Sequence, residues 1–131
     1  MTTETTWKGE LLFETTQENH GKVIMDGNRT AGISPKALLL AGLSGCSAVD
    51  VVEILQKMRV PFESLTVTAA ADQTEEHPRV FTDISLVYRL KASAEDREKI
   101  VKAIELSMEK YCGVAAMLRK NSAIQYKLVL L

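Results

Sequence analysis

The sequence predicts a mixed α+β domain in which a mainly antiparallel sheet surrounds one long central helix. Three observations predict it. Segments at the N-terminus, in the middle and at the C-terminus alternate apolar and polar residues with a period of two; Ser34 to Arg59 is apolar at helical spacing; a second amphipathic helix follows the central strands. With 131 residues, 46% of them hydrophobic, the chain is long enough for one core and short for two. Residues 1–131 are therefore expected to form a single domain.

The elements follow in order. Thr5 to Thr16 sets Trp7, Gly9, Leu11 and Phe13 against Lys8, Glu10, Leu12 and Glu14, the pattern of a half-buried strand. After the turn "QENHG", Gly21 to Met25 supplies a second strand, and "DGN" at Asp26 to Asn28 is turn chemistry, since these residues tolerate positive φ. Ser34 is a natural N-cap, and Pro35 suits the first helical position, where its missing N–H costs nothing. Pro61 forces Val60 into an extended conformation and ends the helix near Arg59. Leu65, Val67, Ala69 and Ala71 then alternate along one strand, and Ile84, Leu86 and Tyr88 along another, giving an antiparallel hairpin joined through "EEHP". Ser93 opens a second helix with Ile100, Ile104, Met108 and Tyr111 on one stripe, and Gly113 caps or kinks it. A short helical piece from Val114 to Lys120 follows, and "AIQYKLVLL" closes as a strand. The order is ββ, long α, ββ, α, β.

The long helix is unusual. Around Cys46 stand Ala41, Gly42, Ser44, Gly45, Ser47 and Ala48, nearly bare backbone for two turns. Each glycine costs about 1 kcal/mol relative to alanine in a helix interior, which points to close approach of another backbone at the thiol. Leucines, valines, Ile54 and Met58 spread over most of the remaining circumference, and a helix apolar on nearly every side must be covered on every side. A chain of this size covers one side well, so a homodimer with two such helices together is expected.

Composition excludes several classes. Lysine and arginine number 16 against 17 acids, a net charge of −1, so no positive field exists for nucleic acid or an anionic membrane. The N-terminus lacks a basic patch followed by an apolar run, and no unbroken apolar run has the length of a span; a cytoplasmic protein is expected. In a reducing compartment the two cysteines are core residues or do redox work. Cys46 and Cys112 are remote in sequence and share no ligand spacing with His20 or His77, so neither a metal nor another cofactor is expected. Cys46 lies in the small-residue window. Cys112, in "EKYCGVAAML", ends the second helix beside a glycine.

From the W-x-G strand through "SPKALLLAGLSGCSAVDVV" to "RVFTDISLVYRL" and "LSMEKYCGVAAML", the sequence resembles the OsmC/Ohr family of osmotically induced and organic-hydroperoxide-resistance proteins. It is most similar to the branch whose helix begins S-P-x-E-L-L-L and continues into G-C-[ST]-x-x-D-V-V. The resemblance implies an OsmC-like fold, an intertwined homodimer with two central helices, and a cysteine-based peroxidase. By position Cys46 would be the peroxidatic thiol and Cys112 the resolving one. Cys46 would become a sulfenic acid, Cys112 would condense with it to a disulfide, and an external dithiol would reduce the pair. The apolar wall about the thiol favours organic hydroperoxides as substrates.

The sequence departs from that pattern at the groups that activate the thiol. The family's helix-start glutamate is replaced, Lys36 and Ala37 following Pro35, and no arginine precedes Arg29. Lys36 is about 15 Å along the helix from Cys46 of its own chain. Arg29 is the candidate activating cation, with Arg79 second. Asp50 and Glu53, one and two turns after Cys46, raise a thiol pKa if unpaired; pairing with a cation across the dimer or facing solvent are the alternatives. A non-catalytic dimer of the same fold that binds an apolar small molecule beside Cys46 is the competing reading. A partner-binding module without a pocket is the third, and it requires the two thiols to lie far apart.

Overall fold

Each predicted strand forms, with one division that the alternation conceals. The computed structural model describes Met1–Leu131, which fall into two units, Met1–Leu39 and Leu40–Leu131. In the first, β1 (Thr3–Gly9), β2 (Leu12–Gln17) and β3 (Lys22–Asp26) form an antiparallel meander. The strand expected over Thr5 to Thr16 is therefore a hairpin. Gly9 at φ +113° and Glu10 at φ +48° reverse the chain, and Trp7 Nε1 donates to the Glu10 carbonyl at 2.9 Å. Trp7 pairs directly with Phe13 across the ladder. Two cross-strand partners share a face of the sheet, so an apolar pair spanning a tight turn imitates the period of one strand.

The "DGN" turn closes β3 through the Asp26 carboxylate, which accepts from Asn28 N at 2.8 Å, Thr30 N at 3.2 Å, Thr30 Oγ1 at 2.9 Å and Ala31 N at 2.9 Å. Bonds from the backbone N–H groups of Ala31 and Asn28, assisted by Thr30, lower its pKa to about 2. Arg29, in the same turn, is exposed at φ +58° and donates its backbone N–H to the Asp26 carbonyl.

Helix α1 (Pro35–Lys57) begins at the predicted proline. Its C-terminus is a Schellman motif: Arg59 N donates to the Gln56 carbonyl at 3.1 Å and Val60 N to the Leu55 carbonyl at 2.9 Å, with Arg59 at φ +59°. Leu55 and Val60, both buried, are the apolar pair that accompanies such a cap. By length and composition α1 would suffice to cross a membrane. Here Leu43, Ser47, Val51 and Leu55, four residues apart, are its buried line.

In the second unit β4 (Phe62–Gln73) pairs antiparallel with β5 (Phe81–Ala92), and β6 (Ala123–Leu130) lies parallel to β5, which is central. Parallel neighbours need a long crossover, and α2 (Arg97–Leu106) and α3 (Gly113–Arg119) supply it. Phe81, Ile84, Leu86, Tyr88 and Leu90 of β5 form one core with the buried line of α1 and with Ile100, Ala103, Ile104 and Met108. The stripe predicted for the second helix fails at its last member. Tyr111 is 54% exposed, because Ser107–Tyr111 is a π-helical turn in which Cys112 N donates to the Ser107 carbonyl at 2.8 Å. A five-residue hydrogen bond shifts every later side chain off the 3.6-residue face.

Candidate active site

The π turn delivers Cys112. The chain leaves it at Cys112 in an extended conformation (φ −74°, ψ 103°), and α3 starts at Gly113, so the predicted kink falls at the cysteine. Arg119 of α3 donates through Nη2 to the Met108 carbonyl at 2.6 Å and ties the short helix back over the turn. Cys112 is 3% exposed, Cys46 is half-buried, and both are free thiols. The two side chains lie close enough to interact, and the interaction favours the protonated form of Cys112. Thiols remote in sequence are thus brought together, not set far apart as the third reading required.

Several forces act on the Cys112 proton. Burial pushes its pKa up most; Ala115 N, donating to Sγ at 3.4 Å, lowers it; the bond to Cys46 and the charges of Cys46 and Asp50 raise it. The result is about 11. Desolvation outweighs one weak N–H···S bond, as expected for a nearly inaccessible thiol. Cys112 therefore keeps its proton at neutral pH.

Beside the thiols runs a buried chain of hydroxyls that the sequence reading missed. Tyr88 OH lies 2.5 Å from Ser47 Oγ, Ser47 Oγ 2.8 Å from Ser107 Oγ, and Ser107 Oγ 3.0 Å from Asp50 Oδ2. A serine hydroxyl has one proton and a carboxylate only accepts. Ser107 Oγ is accordingly the donor toward both Asp50 Oδ2 and Ser47 Oγ, its one proton shared between two acceptors, and Ser47 and Tyr88 can each donate in the bond between them. All three hydroxyl residues are 0% exposed, and every buried side-chain nitrogen or oxygen has a partner. Burial also raises the Tyr88 pKa to about 12, against the opposing effect of its bond to Ser47. Asp50, half-buried, is thus bonded inside its own chain through Oδ2. The signal was present in the sequence: Ser47 and Ser107 interrupt apolar helix faces at four-residue spacing from Leu43 and Ala103, and Tyr88 sits on the inward face of β5.

Along the small-residue window a groove of about 660 Å³ runs between Ser44, Gly45, Ala48, Val49 and Val52 of α1 and Phe62, Leu65 and Val67 of β4. A Cβ added at Gly42 or Gly45 would meet nothing within 4 Å. Within one chain the window is therefore open, and the close approach expected there is not made by its own backbone.

Comparison with known proteins agrees with this architecture. Residues 26–127 match the family described as OsmC-like protein. Over 126 residues the chain is 36% identical to Protein YhfA of Escherichia coli K12, covering 94% of each chain. The crystal structure of a hypothetical protein from Aquifex aeolicus VF5 superposes with a TM-score of 0.83 at 26% identity, covering 99% of this chain and 96% of that one. The organic hydroperoxide resistance protein OhrB of Bacillus subtilis shares the fold at a TM-score of 0.70 and 16% identity, covering 98% of each chain. The match over most of the sequence, with the mixed α+β fold and long central helix, establishes that the chain belongs to the OsmC-like protein family.

Proposed function

We propose that the protein is a thiol peroxidase that reduces organic hydroperoxides. The observation that carries this reading is the Cys46–Cys112 pair: two free thiols close enough to interact, one half-exposed and one buried with its proton held. A protein of the same fold is named for organic hydroperoxide resistance. Cys46, the accessible member, attacks the distal peroxide oxygen as its thiolate; the O–O bond breaks, the alcohol leaves, and Cys46 becomes a sulfenic acid. Cys112 then displaces hydroxide to give the disulfide, which an external dithiol reduces. Arg29 is the proposed activating cation, and Arg29→Ala is expected to slow the first step. A second copy of the chain on the open apolar face of α1 completes the assembly as a homodimer, and a reducing cytoplasm supplies the dithiol.

The test is chemical. One equivalent of an organic hydroperoxide is added to reduced protein, which is quenched and digested. Mass spectrometry is expected to show loss of two hydrogens and a linked Cys46–Cys112 peptide, absent from Cys46→Ser. Two thiols still free after minutes would end the peroxidase reading and leave binding of an apolar molecule, which the groove beside Gly45 would favour.

A further inference from the structure

Ser107 stands where the two thiol-bearing segments are joined. Its hydroxyl reaches α1 at Ser47 Oγ (2.8 Å) and Asp50 Oδ2 (3.0 Å), and its carbonyl accepts the Cys112 N–H (2.8 Å). Ser47 is the chain neighbour of Cys46, so two hydrogen bonds through one residue span the distance between the cysteine segments. An α-helical turn would have given the Cys112 N–H to Met108 instead. The π turn gives it to Ser107, the residue already anchored on α1. Packing alone does not ask for hydroxyls here. Paired buried hydrogen bonds add little net stability, and apolar side chains of similar shape stabilise as well. A fully satisfied network instead fixes one geometry.

We propose that Ser107 is a positioning residue for disulfide formation: anchored on α1 by its hydroxyl and holding the Cys112 amide by its carbonyl, it keeps Cys112 against Cys46 so that the second thiol meets the oxidised first without rearrangement. The inference rests on the peroxidase reading above. In the step concerned the Cys112 sulfur attacks the sulfenic sulfur of Cys46. The S–S bond forms, the S–O bond breaks, and the Cys112 proton leaves with the hydroxide as water. The sulfenic acid, made by the hydroperoxide, is the oxidant. Asp50, at the end of the hydroxyl chain, opposes early ionisation of Cys112.

Quenched-flow mixing of reduced protein with tert-butyl hydroperoxide, with and without dimedone, separates the two steps. Wild type is expected to yield linked peptide with little dimedone adduct. In Ser107→Ala, oxidation of Cys46 changes by less than about threefold, whereas disulfide formation slows about ten- to hundredfold, the loss that misplacing a reacting group brings, and the Cys46 adduct with dimedone becomes the main product. Ser47→Ala, which keeps a good helix former, falls between the two; near-UV circular dichroism checks both folds, and Ser47→Ala decides if Ser107→Ala does not fold. Asp50→Asn still accepts from Ser107 but lacks the charge, so its disulfide step persists with a pH profile moved to lower pH, a shift that a merely structural anchor would not produce. Wild-type disulfide rates in both serine variants would overturn the inference while the peroxidase reading stood. Failure of wild type to oxidise at Cys46 would remove that reading itself.

Discussion

The buried proton on Cys112 has a measurable consequence in the Cys46→Ser variant, where Cys112 is the one remaining thiol. An unperturbed cysteine with a pKa near 8.5 is about one-tenth thiolate at pH 7.5. At the pKa of about 11 that Cys112 has beside Cys46 the fraction is about three in ten thousand, roughly 300-fold lower, and the variant, without the Cys46 contribution, lies between the two values. The main cause, desolvation, survives removal of Cys46. Alkylation of Cys112 by iodoacetamide, followed by peptide mass spectrometry, should therefore keep rising with pH beyond 8.5, where that of an unperturbed thiol levels off. Exposure of only 3% slows the reaction at every pH alike, so the shape of the profile carries the information rather than its height. A plateau near pH 8.5 would refute the reasoning, because it would mean that the folded thiol ionises as freely as one in water. The same shift has a sign in stability. The fold prefers the protonated thiol, so this contribution is complete below the unfolded pKa near 8.5 and is lost as pH rises through about 11. Urea midpoints of Cys46→Ser should accordingly fall more steeply above pH 9 than those of a variant that also carries Cys112→Ala.

Two further outcomes concern the scaffold. The Asp26 carboxylate, held at about 2 by four donors, contributes stability that is present above the unfolded pKa near 3.9 and lost as pH falls toward 2; Asp26→Asn should lower the urea midpoint at pH 7 and flatten its decline between pH 4 and 2, and an unchanged decline would contradict that assignment. Arg59, exposed at φ +59° in the α1 cap, stands where an L residue costs about 1 kcal/mol, so Arg59→Gly should stabilise by about 0.5–1 kcal/mol and raise the thermal midpoint by a few degrees; a lower midpoint would show that the arginine side chain offsets its backbone strain.

The sequence by itself determined the elements and their faces. Pro35 and the Val60–Pro61 step bounded the long helix because proline restricts only its own φ and the residue before it, a local effect. The inward residues of β4 and β5 followed from period-two alternation, which is a property of the strand alone. The resemblance to the OsmC/Ohr family, carried by strings such as "LSGCSAVDVV", was also legible without coordinates. The tertiary structure decided what depends on partners distant along the chain. The hairpin at Gly9 and Glu10 was hidden because Trp7 and Phe13 pair across it. The π turn was hidden because its apolar residues up to Met108 still obey helical spacing, and only the displaced Tyr111 records the extra width. Contact between Cys46 and Cys112, and the hydroxyl chain from Tyr88 to Asp50, join α1, β5 and the π turn. A thiol pKa or the direction of a hydroxyl proton is set by burial and by neighbours in space, and neither exists until the strands and helices have packed.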